Sequence, residues 1–230
     1  LEDEDLIITS QYSLAAVSLQ RAITGTMTWT VAANGTITVT VEGDRKPLHP
    51  HYSKIPMPEL PFLPRFGLRL FLSDAFEEVS YFGYGPKESY IDKHRNSYLD
   101  LFCTTVGELH EDYIRPQENS SHFGTKWVVV GEELGYGLFM SGYGLDGVSF
   151  NVSHYTLDHL DKTAHDYELE PVEQTVVCLD YRHEGIGSGS CGPIASKQYN
   201  FTEDKVNFTL RLKPVEMESV KPFELLNQSF

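Results

Sequence analysis

Histidines, glycine clusters and paired acids are the residues here whose types and spacing could do chemistry. His154, His159 and His165 are five and six residues apart, whereas two metal ligands on one helical face need spacing near four. Solvated histidines are the plainer reading. Gly142, Gly144 and Gly147, and again Gly187, Gly189 and Gly192, match Gly-x-Gly-x-x-Gly. A dinucleotide site needs a helix to open directly after that turn. A β-type run follows the first match and Pro193 follows the second, so neither supplies one. No serine has glycine both two residues before and two after it, which leaves no nucleophile elbow. Glu77-Glu78, Glu111-Asp112 and Glu132-Glu133 are sequence neighbours, and on a strand such pairs point to opposite faces. Glycoside hydrolysis would need two acids brought by the fold to roughly 5 to 9 Å, and the sequence designates no such pair. More suggestive are rings beside glycines, in Tyr81-Phe82-Gly83-Tyr84-Gly85-Pro86 and from Gly135 to Gly144. Flat apolar faces of that kind stack on the C–H face of a sugar.

The elements that must position these residues are strands. Thr26-Met27-Thr28-Trp29-Thr30-Val31 and Thr36-Ile37-Thr38-Val39-Thr40-Val41 alternate threonine with apolar groups around Asn34-Gly35, which predicts a β-hairpin with one buried face. Similar runs at 67–72, 126–130, 137–140, 148–152, 175–179 and 206–212 predict further antiparallel strands. Only 157–164 reads as a helix, short, behind a Ser153 or Thr156 cap. Six prolines between Pro47 and Pro64 predict a long surface loop, since each removes a backbone donor. Residues 216–230 show no period and read as a frayed tail.

The chain has 230 residues, 40% of them hydrophobic, with 18 Lys plus Arg against 33 Asp plus Glu and a net charge of -15. That is enough apolar material for a folded core. So acidic a chain repels phosphate, so nucleic acid and anionic membranes are poor partners. No apolar window reaches the roughly 18 residues of a membrane span, and the first residues lack a signal-peptide layout. Three widely spaced cysteines, Cys103, Cys178 and Cys191, encode neither a disulfide framework nor a zinc knuckle. Six Asn-x-Ser/Thr sequons, several inside expected strands, read as incidental products of a Thr- and Asn-rich β protein.

Five ordered motifs then carry a family resemblance. They are Leu63-Pro64-Arg65-Phe66-Gly67, Phe82 through Lys93, Tyr113-Ile114-Arg115-Pro116-Gln117-Glu118-Asn119, Phe150-Asn151-Val152-Ser153-His154-Tyr155, and Gly185 through Pro193. Together they resemble the C-terminal domain of glycoside hydrolase family 2 β-galactosidases, from about Asp5 to Pro214. The resemblance implies an all-β, antiparallel supersandwich of galactose mutarotase-like type at 1–215, N-terminally truncated, with a tail at 216–230. It also implies that the nucleophile and acid/base glutamates lie on a separate TIM barrel, leaving no catalytic residue, metal or cofactor in this chain. A loop at 188–193 would reach over the barrel's galactoside pocket. By resemblance, Ser190 and Cys191 are then nearest the sugar, with His183 and Glu184 flanking the loop as substrate-binding residues. The expected partners are a galactoside, the TIM barrel of a retaining parent enzyme and further copies of that parent in a homo-oligomer, in a cytoplasmic setting. Ser89, Ser120 and His122 depart from the family pattern, so family contacts at those positions are not carried over. A stand-alone aldose epimerase using His183 with Glu184, and a carbohydrate-binding module using the Tyr and Gly loops, remain as alternatives.

Overall fold

The threonine-rich stretches pair as an antiparallel hairpin, β2 (Ile23–Val31) with β3 (Ile37–Arg45), in a register that sets Trp29 opposite Val39. Its turn is one residue longer than a two-residue loop. Ala32 N–H donates to the Thr36 carbonyl at 2.9 Å and Gly35 N–H to the Ala32 carbonyl at 2.9 Å. Gly35 alone carries positive φ, at 79°, and Asn34 Oδ1 accepts from Thr36 N–H at 2.9 Å. This is the three-residue loop that closes on a left-handed glycine.

The computed structural model describes residues 5–15, 22–45, 63–133, 135–187, 192 and 194–228. The remaining strands are β1 (Leu6–Leu14), β4 (Arg65–Leu72), β5 (Phe76–Gly85), β6 (Tyr98–Thr105) and β7 (His122–Thr125). They continue as β8 (Trp127–Glu132), β9 (Tyr136–Tyr143), β10 (Val148–Ser153), β11 (Thr175–His183) and β12 (Lys205–Glu216). Among the described residues there are three short α-helices, α1 (Val106–Leu109) and α2 (Leu157–Lys162) between strands and α3 (Pro222–Asn227) after the last strand. The protein is therefore all-β. Eight strands form one antiparallel sheet in the order β1-β2-β3-β12-β9-β8-β5-β6, and four form another in the order β4-β11-β10-β7.

The two sheets pack as a sandwich around one apolar core. Val39, Val79, Tyr81, Val128, Met140 and Leu210 from the larger sheet meet Phe150, Val152, Val177 and Leu179 from the smaller one. Alternation decides which side chains enter, because successive residues of a strand face opposite sides. The larger sheet extends beyond the smaller. Leu6 and Ile8 on β1 share a face with Trp29 yet remain 59% and 53% exposed.

The helix expected at 157–164 forms as α2, capped by Thr156 Oγ1, which accepts from His159 N–H at 3.2 Å. The tail differs from expectation. Pro222 starts α3, whose Leu225 and Leu226 pack with Met217 on the outer-face cluster of Trp127, Val129 and Phe139. Six residues are too few to show a helical period. What orders them is tertiary: buried Arg211 donates to the Leu225 carbonyl at 2.5 Å and the Gln228 carbonyl at 2.7 Å, placing a cation at the helix C-terminus. The proline-rich loop lies outside the described residues as far as residue 62. No helix among the described residues is long and apolar enough to cross a membrane.

Candidate functional site

A cleft of about 770 Å³ opens where the C-terminal end of β11 meets the start of β4, the 115–118 segment and α2. Pro64, Pro116, Leu157, Leu160 and Ile186 give it apolar walls, and Arg65, Glu118, His183 and Glu184 give it charge. That volume is in the range of small-molecule sites.

A bulge in β11 prepares the charged side. Its pairing with β4 runs Asp180 to Gly67 and then Arg182 to Phe66, so Tyr181 is an extra residue without an opposite number. In a regular strand Asp180 and His183 would face opposite sides; the inserted residue lets both turn inward. Gly67 is needed opposite, because a Cβ there would lie 2.4 Å from Asp180 Cα. Arg65 then donates through Nη2 and Nε to the two oxygens of Asp180, at 2.5 and 3.3 Å, and through Nη1 to Glu118 Oε2 at 2.9 Å. Two carboxylates hold the guanidinium firmly charged against its burial. Burial pushes the Asp180 carboxyl up, with Arg65 opposing.

His183 completes the group. Its Nδ1 lies 2.7 Å from the Glu184 carbonyl and its Nε2 lies 3.7 Å from Glu118 Oε1. At that separation Glu118 acts on the imidazole as a neighbouring charge rather than a hydrogen-bond acceptor. Burial and the nearby Arg65 charge would lower the His183 pKa, and Glu118 together with the Glu184 carbonyl outweighs them, so it is raised. Glu184 is raised by its own burial and by Asp92 nearby, with His183 opposing. His183 and Glu184 thus share the cleft without forming a side-chain pair. The acid that meets His183 is Glu118.

Beyond Glu184 the chain turns away under the control of Asp92. Its two carboxylate oxygens accept from the N–H groups of Ile186, at 3.1 Å, and Gly187, at 2.8 Å. Gly187 adopts φ 59°, and a Cβ on Gly185 would lie 2.7 Å from the Asp92 carboxyl carbon. Only a glycine fits so close an approach there. Asp92 is itself carried by a turn in which Tyr90 and Lys93 exchange backbone hydrogen bonds at 2.9 and 3.0 Å. Lys93 Nζ donates to Glu88 Oε1 at 2.8 Å, and that carboxylate also accepts from Tyr113 Oη at 2.5 Å and Ser120 N–H at 3.1 Å. Asn151 Nδ2 donates to the Asn119 carbonyl at 2.7 Å. Residues from all five sequence motifs are therefore linked through this end of the sandwich. Ser190 and Cys191, expected nearest a sugar, lie outside the described residues.

Sequence reasoning gave no role to Arg65, Glu118, Asp180 or Asp92. The available signal was charge among prolines and strand formers, in Leu63-Pro64-Arg65-Phe66 and Arg115-Pro116-Gln117-Glu118. Buried charges must pair. Elsewhere, His154 Nε2 lies 2.8 Å from Glu77 Oε2, away from His159 and His165 as ligand partners.

The fold and this charged end define a class: a β-sandwich domain whose distant motifs converge on the base of one glycine-rich loop. The family model described as the beta galactosidase small chain matches residues 2–212, and the chain belongs to that family. It is 45% identical over 154 residues to a β-galactosidase of Actinobacillus pleuropneumoniae, covering 66% of this chain and 15% of that protein. A Staphylococcus xylosus β-galactosidase is 41% identical over 189 residues, 82% of this chain and 18% of the relative. One from Streptococcus thermophilus is 25% identical over 217 residues, 94% of this chain and 20% of the relative. The chain spans a fifth or less of these relatives.

Proposed function

We propose that this chain acts as the accessory sandwich of a β-galactosidase, in which the glutamates that cleave terminal β-D-galactose stand on a TIM barrel outside it. We assign it the galactose mutarotase-like supersandwich type, a reading supported by its eight strands facing four. Its task is to hold the loop at 188–193 over the galactoside pocket, with Ser190 and Cys191 nearest the sugar. One observation carries this: the Asp92 carboxylate clamps the successive N–H groups of Ile186 and Gly187, which fixes the backbone from which the loop begins.

Reconstitution tests the proposal. The purified chain alone leaves a nitrophenyl β-galactoside intact, and restores its hydrolysis when added to the Staphylococcus xylosus β-galactosidase shortened by the matching segment. Asp92→Ala in the added chain lowers the restored kcat between about 10- and 100-fold, the scale of a misplaced active-site element. Turnover by the chain alone at about 1 to 1000 per second, or failure to restore activity, overturns it.

A second reading, an aldose epimerase, is favoured by the meeting of His183 with Glu118 at the floor of the cleft. A protonated imidazole can give its proton to a sugar ring oxygen while a carboxylate takes the proton of the anomeric hydroxyl, so that the bond from C1 to the ring oxygen breaks and the ring opens to the aldehyde. Polarimetry on α-galactose separates the two readings: an epimerase speeds the drift in rotation, and the accessory domain leaves its rate unchanged.

A further inference from the structure

None of the residues His110, Asp112 and Asp166 lines the cleft. They bring one imidazole nitrogen and two carboxylate oxygens to within 4.8 Å of one another. His110 directly follows α1, Asp112 stands two residues on, and Asp166 opens the 3-10 turn Asp166–Glu168. His110 Nε2 lies 3.3 Å from Asp166 Oδ1 and 3.8 Å from Asp112 Oδ1. Ligand atoms bound to zinc at about 2.0 to 2.2 Å in a tetrahedron stand about 3.3 to 3.6 Å apart, so each carboxylate is already near that separation from the imidazole, and the two carboxylates, within 4.8 Å of each other, need only draw together.

Two further features hold the group ready. The Tyr155 ring packs on the imidazole at 4.8 Å between centroids, and Asp166 N–H donates to the Ile114 carbonyl at 3.3 Å. Among the described residues no lysine or arginine forms a salt bridge with Asp112 or Asp166. Two carboxylates therefore face one imidazole, in a chain of net charge -15. Their mutual repulsion is relieved by a cation placed between them.

We propose that His110, Asp112 and Asp166 form a binding site for a divalent transition-metal ion, zinc above all, that ties the segment after α1 to the 166–168 turn. An imidazole with two carboxylates suits a borderline ion better than magnesium, which prefers an all-oxygen octahedron. Water fills the remaining position. Because the ion joins segments 54 and 56 residues apart in sequence, it binds the folded chain and not the unfolded one, and so stabilises it.

Thermal unfolding of the 230-residue chain with zinc chloride, beside magnesium chloride, is the test. At about a hundredfold excess over its dissociation constant, zinc raises the melting temperature by about 5 °C or more, and magnesium does not. Asp112→Asn, at an 83% exposed side chain, leaves the metal-free melting temperature in place and loses the zinc shift. His110→Asn loses it too, whereas His159→Asn, at an exposed histidine outside the group, retains it. Cobalt gives a visible d–d absorption that Asp112→Asn abolishes. The absence of a zinc shift, or a shift that survives both Asp112→Asn and His110→Asn, overturns the proposal.

Discussion

Asp180→Ala is expected to destabilise the protein by about 3 to 5 kcal/mol, the cost of removing one partner from a buried ion pair. The side chains of Asp180 and Arg65 are only 5% and 15% exposed, so little solvent screens the charge left behind. Glu118 would still accept from Nη1, while Nη2 and Nε lose the Asp180 carboxylate that accepts from them. Denaturant unfolding at pH 7 measures the loss. The double variant Arg65→Met with Asp180→Leu should lose less than Asp180→Ala, because it leaves no buried guanidinium short of a partner, and Glu118, which loses Arg65, is 25% exposed and still faces His183. A loss below about 1 kcal/mol for Asp180→Ala would show that the guanidinium finds water or another acceptor.

His122 makes stability depend on acid. Its ring lies stacked on Phe150, centroids 4.9 Å apart, and against Tyr81 at 4.7 Å, with Nδ1 3.2 Å from the Tyr84 carbonyl and Nε2 buried. Burial pushes its pKa down to about 4 from about 6.5, with the Tyr84 carbonyl and Glu88 only partly opposing. The folded state thus binds fewer protons than the unfolded one between those values. Stability is full above about pH 6.5 and falls as the pH drops towards about 4, by about 3 kcal/mol in all. His122→Phe keeps a ring between Tyr81 and Phe150 and removes the titration. It should cost about 1 kcal/mol at pH 7, for the lost bond to Tyr84, and its curve should cross the wild type's as the pH falls, lying about 2 kcal/mol above it near pH 4. Parallel curves would refute the assignment. Glu88 adds a later acid loss in both proteins: Lys93, Tyr113 and the Ser120 N–H hold its carboxyl below the usual range despite burial, so its contribution goes as the pH falls below about 4.5.

How much was legible beforehand varies with the distance over which the information acts. Thr26 through Val41 announced a hairpin because alternation and a glycine turn are local, and even there the loop proved one residue longer. α2 was readable from Thr156 and the spacing of Leu157 and Leu160. α3 was not, since six residues hold too little pattern and its order comes from Trp127, Phe139 and Arg211, which precede it by 11 to 95 residues. In the cleft, His183 and Glu184 came from family resemblance, and as neighbours on a strand end they do not pair side chain to side chain; the acid that meets the imidazole was not readable. His183 faces Glu118, 65 residues earlier.

The sequence by itself determined an all-β protein, its principal strands, a chain of acidic character and a place among β-galactosidase domains. Those follow from period, composition and ordered motifs, which need only neighbouring residues to be read. Tertiary structure alone decided that Tyr181 would be a bulge, that Arg65 would sit between Asp180 and Glu118, and that Asp92 would carry the base of a loop 94 residues away. Buried charge accounts for the difference. A guanidinium or carboxylate inside a sandwich must find its partner, and which partner it finds depends on how two sheets bring distant strands together.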